Sequence, residues 1–146
     1  MKKIMIINGP NLNFLGIREK NIYGNDDYES ICSYIKDKFS DKKVRIDILQ
    51  SNSEGKLIDF LQSAYFRNFD GIVINPGAYT HYSYAIFDAI KSIFIPTVEV
   101  HLSNIHEREA FRKTSVTATA CIAQIYGKGK EGYVEAVELL INEKTK

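Results

Sequence analysis

The segment EVHLSNIHEREAFR, Glu99 to Arg112, places two His, three Glu and two Arg in fourteen positions of a chain with only three His. Such a density could serve metal binding, acid–base chemistry or simply a solvated helix face. Metal is disfavoured. His101 and His106 are five apart, which does not place them on one helical face, and the H-E-x-x-H pattern is absent. Glu99 and His101, two apart, share one face of a strand, the arrangement by which a carboxylate orients an imidazole for proton transfer. His106 and Glu107 read as helix-start and surface residues. Ser103 reads as the N-cap of a short helix beginning near Asn104, which leaves the backbone N–H groups of Leu102 and Ser103 as an anion site. A base is suggested by the stretch Gly9 to Gly24, which carries Asn11, Asn13, Arg18 and Tyr23. It is too long for an ordinary strand-to-helix connection and reads as a lid. A guanidinium near Tyr23 could lower its phenol by about two units, which needs roughly 2.7 kcal/mol of differential stabilisation.

The elements that must position these groups alternate. KIMIIN (Lys3 to Asn8) is an apolar run ended by a turn at GPN. In DDYESICSYIKDKF, residues Tyr28, Ile31, Cys32, Ile35 and Phe39 keep helical spacing, with Asn25 or Asp26 as cap. VRIDIL alternates as a strand near an edge. A helix from about Gly55 to Arg67 would bury Leu57, Phe60, Leu61 and Ala64. GIVIN, SYAIFDAIKSI, PTVEVH, a short helix within NIHEREAF, TACIAQIYG and GYVEAVELLINE follow as strand, helix, strand, helix, strand and helix. Five repeats of strand and helix dictate an α/β three-layer sandwich. Its parallel sheet takes the flavodoxin-like order 2-1-3-4-5. Ligands then bind beyond the carboxyl ends of the strands, between the first and the third. NGPNLNFLGIREKNIYG, NPGAYTHYS and HLSN converge there.

Length and composition agree with a single domain spanning residues 1–146, the one that would carry the acid–base site. At 45% apolar and 25% charged residues the chain is ordinary for a globular protein, and a net charge of +1 disfavours nucleic acid or anionic membranes as partners. No apolar run approaches the ~20 residues of a membrane span, and KKIMIIN lacks the length and cleavage site of a signal peptide, so the expected location is cytoplasmic. Cys32 and Cys121 lie in apolar surroundings and read as buried thiols. Gly127, Gly129 and Gly132 match G-x-G-x-x-G but follow the last strand. They read as a flexible turn rather than a dinucleotide site. Asn8 and Asn75 end the strands where a Mg²⁺ pocket would need Asp.

NGPNLNFLGIREKNIYG, QSNSEG, INPGAYTHYSYAIFDAI and EVHLSNIHEREAFRKTS, in this order, resemble the type II dehydroquinase (3-dehydroquinate dehydratase) family over nearly the whole chain. The resemblance implies cofactor-free anti elimination of water from 3-dehydroquinate, in the shikimate pathway, by a homododecamer built from trimers. It implies Tyr23 as the base beside the ketone, Arg18 as its support and Asn11 as holder of a water that stabilises the enolate. His101 would be the general acid, oriented by Glu99. Asn75 and the N–H groups of Leu102 and Ser103 would bind carboxylate and hydroxyls, with His81 and Arg112 on the other hydroxyls. Arg108 would assist the Tyr–Arg pair, and Asp88 would reach a neighbouring subunit's site. Lys20 stands where the family commonly has Pro, and Thr114 where a His is common. A flavodoxin-like module that holds a nucleotide or flavin without catalysis is the alternative. A Schiff-base dehydratase is disfavoured because the lysines fall on helix faces, loops and ends.

Overall fold

In a computed structural model, residues 1–17 and 26–143 are described. Arg18, Lys20, Tyr23 and Asn25 lie outside the described residues. Five strands, β1 (Lys2–Asn8), β2 (Val44–Gln50), β3 (Gly71–Asn75), β4 (Thr97–His101) and β5 (Ala123–Tyr126), form one sheet. All neighbours are parallel and the order is β2-β1-β3-β4-β5, the flavodoxin-like arrangement. Four helices cover it: α1 (Tyr28–Lys38), α2 (Glu54–Phe66), α3 (Tyr84–Ile93) and α4 (Glu131–Ile141).

Period-two alternation divides the core into two layers. Ile4 and Ile6 of β1 face α1 and α4, joining Ile31, Ile35, Val137 and Leu140. Met5 and Ile7 face the other side, with Leu57, Leu61, Ile86 and Ile90 of α2 and α3. The central strands are therefore apolar on both faces, while β2, at the edge, sets Asp47 between Arg45 and Arg67 at 3.0 Å each. Of the four residues expected to be buried in α2, Leu57, Leu61 and Ala64 are, and Phe60 is half-buried.

Local chemistry corrects three boundaries. The α1 cap is Asp27, whose carboxylate accepts from Ser30 N at 2.7 Å, not Asn25 or Asp26. The short-helix cap is Asn104 rather than Ser103, because its side chain accepts from His106 N at 3.0 Å. Third, no α-helix joins β4 to β5 among the described residues. Three 3₁₀ turns, Ile105–Glu107, Ala110–Arg112 and Thr117–Ala120, make the crossing, and Arg108 is extended between the first two. The fifth strand accordingly begins at Ala123, with Thr117–Ala120 outside it.

The described half of the long first loop is anchored. Gly9 N donates to Asn75 O at 2.7 Å, and Leu12 and Leu15 are buried in the core. A Cβ at Gly9 would meet Pro76 O at 2.6 Å, so only glycine lets these two loops touch.

Candidate active site

The ends of β1, β3 and β4 open onto one cleft beside the point where the strand order reverses, as expected for this topology. Pro10, Asn11 and Leu12 come from the first loop, and Asn75, Gly77, Ala78 and His81 from the second. His101 ends β4, Leu102, Ser103 and Ile105 follow it, and Arg108 and Arg112 come from the 3₁₀ turns and their junction. Eight of the expected site residues thus line one cleft: Asn11, Asn75, His81, His101, Leu102, Ser103, Arg108 and Arg112. Glu99 lies directly behind His101. Asp88 is not brought to this cleft. It sits exposed on α3.

Glu99 and His101 form a buried hydrogen-bonded pair at the cleft. Glu99 is fully buried, and its Oε2 accepts from His101 Nε2 at 2.8 Å, Ser115 Oγ at 2.7 Å and Gln124 Nε2 at 2.9 Å. Oε1 accepts from the Thr117 hydroxyl. Burial by itself pushes this carboxyl up, but the hydrogen bond and charge of His101, with the Thr117 and Ser115 hydroxyls, outweigh it and hold the pKa at about 2. An ionised carboxylate only accepts, so the His101 proton on that side resides on Nε2. Nδ1 is left as the ring nitrogen that Glu99 does not engage. Thr80 Oγ1 lies 2.7 Å from Ser115 Oγ and 2.8 Å from Thr117 Oγ1, and since both of those hydrogens go to Glu99, its own single hydrogen is given to one of the two oxygens.

His81 is set differently. Its Nδ1 is 2.7 Å from Thr114 O, a carbonyl that can only accept, so Nδ1 carries hydrogen. Burial lowers the His81 pKa; the Thr114 carbonyl opposes this, and the nearby charges of His101 and Arg112 add to it. The ring is therefore neutral at pH 7 and Nε2 is a bare acceptor, suited to a hydroxyl. Arg112 Nε lies 3.2 Å from Glu109 Oε1, and the guanidinium stacks 4.9 Å from the Phe111 ring centroid. With the Arg108 Nε 3.8 Å from the same carboxylate, two cations border the cleft.

The loop after β4 is held by the glycine-rich turn. Gly129 N donates to Leu102 O and Gly127 N to Ser103 O, both at 3.1 Å. Gly127 (φ 75°) and Gly129 (φ 57°) occupy the left-handed region that glycine tolerates. The G-x-G-x-x-G stretch thus has a structural task at the site and is not merely a flexible turn.

Several supporting residues were not foreseen from the sequence: Ser115, Thr117 and Gln124 around Glu99, and Tyr133 and Asn8 behind Asn75. Asn75 Nδ2 donates to the Tyr133 hydroxyl at 3.0 Å, which donates to Asn8 Oδ1 at 2.6 Å. Gln124 was accessible in principle, because parallel pairing sets Glu99 beside Gln124. Tyr133 looks like one more core residue of an apolar helix, and no pattern distinguishes its hydroxyl.

Comparison with known proteins points the same way as the site. Residues 2–141 match the family described as Dehydroquinase class II. The chain is 63% identical over 138 residues to a 3-dehydroquinate dehydratase of Clostridium beijerinckii, covering 94% of each. It is 60% identical over 141 residues to one of Fusobacterium nucleatum, covering 95% of this chain and 96% of the other. The crystal structure of a type II dehydroquinase from Butyrivibrio crossotus superposes with a TM-score of 0.95 at 56% identity, over 97% of this chain and 98% of that one. The Propionibacterium acnes type II dehydroquinase gives 0.91 at 34% identity, again over 97% and 98%. A match over nearly the full length, on a sheet whose strand ends gather the residues of the quoted motifs, makes this chain a member of the class II dehydroquinase family.

Proposed function

We propose that the chain is a carbon–oxygen lyase that removes water from 3-dehydroquinate to give 3-dehydroshikimate, without a cofactor and through an enolate. The observation that carries this reading is the buried Glu99–His101 pair at 2.8 Å, opening onto a cleft of amides, imidazoles and guanidiniums. Tyr23 removes the proton beside the ketone, with Arg18 stabilising its phenolate, and Arg108 assists them. A water held by Asn11 stabilises the enolate oxygen. The enolate collapses, the carbon–oxygen bond breaks, and His101 Nδ1 delivers a proton to the leaving hydroxyl, so that water and a conjugated enone result. Glu99 keeps the imidazole oriented and stabilises its cationic form. Asn75 and the N–H groups of Leu102 and Ser103 hold the carboxylate and hydroxyls. Neutral His81 accepts from a hydroxyl and Arg112 donates to another.

One catalytic domain, working in the cytoplasm as a dodecamer of four trimers, completes the proposal. Asp88, exposed on α3, then serves a neighbouring subunit's base. Among the described residues no helix is long and apolar enough to cross a membrane. A flavin- or nucleotide-holding module is less well supported. Among the described residues the cleft offers no carbocyclic aromatic ring to stack a flat base, and Pro10 and Leu12 occupy the turn where a phosphate loop needs small residues. The test is ultraviolet absorbance after mixing with 3-dehydroquinate, with Tyr23→Phe alongside. A rising enone signal, lost in the folded variant, is expected. A rise unaffected by the substitution would overturn Tyr23 as base, and no rise from folded wild type would overturn the dehydratase reading.

A further inference from the structure

Tyr133 is 2% exposed and plays no part in the chemistry above, yet its hydroxyl joins the ends of β1 and β3 at the floor of the cleft. Its hydrogen bonds run in one direction, and the direction can be counted. Gly77 N donates to Asn75 Oδ1 at 3.2 Å, so the Asn75 carbonyl faces Gly77 and its NH₂ faces Tyr133. Asn75 Nδ2 donates to the phenol, the single phenol proton goes to Asn8 Oδ1, and Asn8 Nδ2 donates to Tyr28 Oη at 3.3 Å. Turning the Asn75 amide over would set its NH₂ against the Gly77 N–H and its carbonyl against a phenol oxygen whose only proton is already used. Both Asn side chains are almost fully buried, at 2% and 3% exposure, so neither arrangement could be repaired by water at low cost. Burial also pushes the Tyr133 phenol up, so it remains protonated and the chain of donors keeps its polarity.

One Nδ2 hydrogen of Asn75 is thereby used on Tyr133, and the second is left for the cleft that Asn75 lines. We propose that Tyr133 is a positioning residue, which fixes the Asn75 amide so that its second hydrogen meets an acceptor oxygen of the substrate, a carboxylate or a hydroxyl. This rests on the reading of Asn75 as a substrate-binding group.

The test is steady-state kinetics with 3-dehydroquinate for wild type, Tyr133→Phe, Asn75→Ala and the double variant, with melting temperatures for each. Tyr133→Phe should raise KM about tenfold with kcat changed less than about twofold, the signature of lost ground-state binding. Adding it to Asn75→Ala should raise KM no further, since the phenol acts through that amide. A purely structural Tyr133 would lower the melting temperature and leave KM at the wild-type value; that result, or additive KM effects, overturns the proposal alone. No turnover by folded wild type overturns the dehydratase reading and this proposal with it. Should Tyr133→Phe fail to fold, a crystal structure of wild type with 3-dehydroshikimate decides. Asn75 Nδ2 within hydrogen-bond distance of both Tyr133 Oη and a product oxygen supports the assignment, and an amide turned away from Tyr133 overturns it.

Discussion

His101 and His106 stand five residues apart in environments that share little. His106 packs edge-on against Tyr126, with centroids 4.7 Å apart, and its backbone N–H is taken by the Asn104 side chain. His101→Ala should therefore cut turnover by about 10²-fold or more, the scale of a lost general acid, while His106→Ala should leave kcat nearly intact and lower the melting temperature. Equal losses of turnover in two folded variants would refute this division. Glu99 carries a second prediction. Its folded pKa of about 2 lies below the 4.5 of an ordinary Glu, so between these values the unfolded chain binds more protons and stability rises with pH. The contribution is full above about pH 4.5 and is lost as pH falls towards 2, on the order of 3 kcal/mol in all. Urea midpoints measured from pH 5 to pH 3 should fall, and less steeply in Glu99→Gln; identical slopes would remove Glu99 as the cause. The pair itself was legible because two residues apart on a strand share a face. Its hydroxyl partners were not, because Ser115 and Thr117 meet it only through a crossing of irregular chain, whereas Gln124 follows once β4 and β5 are set in register.

The same contrast holds for the elements. Helical spacing in DDYESICSYIKDKF and the apolar runs of β1 and β3 marked their elements correctly, and the strand order followed from their alternation. The β4–β5 crossing was misread as a short helix because 3₁₀ turns carry no 3.6-residue period, and the capping residues Asp27 and Asn104 differ from plausible neighbours only in backbone geometry. The glycine-rich turn before α4 was read correctly as a turn, but its hold on the β4 loop is a three-dimensional fact. Gly127→Ala tests it. A Cβ there would sit 3.3 Å from Asn104 Cβ at a φ of 75°. Left-handed strain of about 1–2 kcal/mol should lower the melting temperature by roughly 3–8 °C. KM should rise as well, because Ser103 O loses its fixed donor. A stability loss with unchanged KM would show that the turn does not set the site.

At the scale of the molecule, several rings remain uncovered on the single chain: Phe94 is 90% exposed, Phe66 78% and Tyr84 69%. The proposed twelvefold assembly should sediment at about twelve times 16.6 kDa. If Asp88 serves a neighbour, Asp88→Ala and Tyr23→Phe subunits, each impaired alone, should regain part of the wild-type rate when dissociated and reassembled together. No recovery in verified hybrids would confine each site to its own chain. The supports of Glu99 have one more consequence, in the order in which the enzyme comes into being. Ser115, Thr117 and Gln124 are all made after the strand that bears Glu99 and His101, and Gln124 arrives only with β5. Until β5 is made, β4 has no neighbour on its outer side and Glu99 lacks the Gln124 donor. A chain cut short before Ala123 should therefore lose the Gln124 donor to Glu99 and the outer neighbour of β4 together, and its turnover should fall further than that of Gln124→Ala alone.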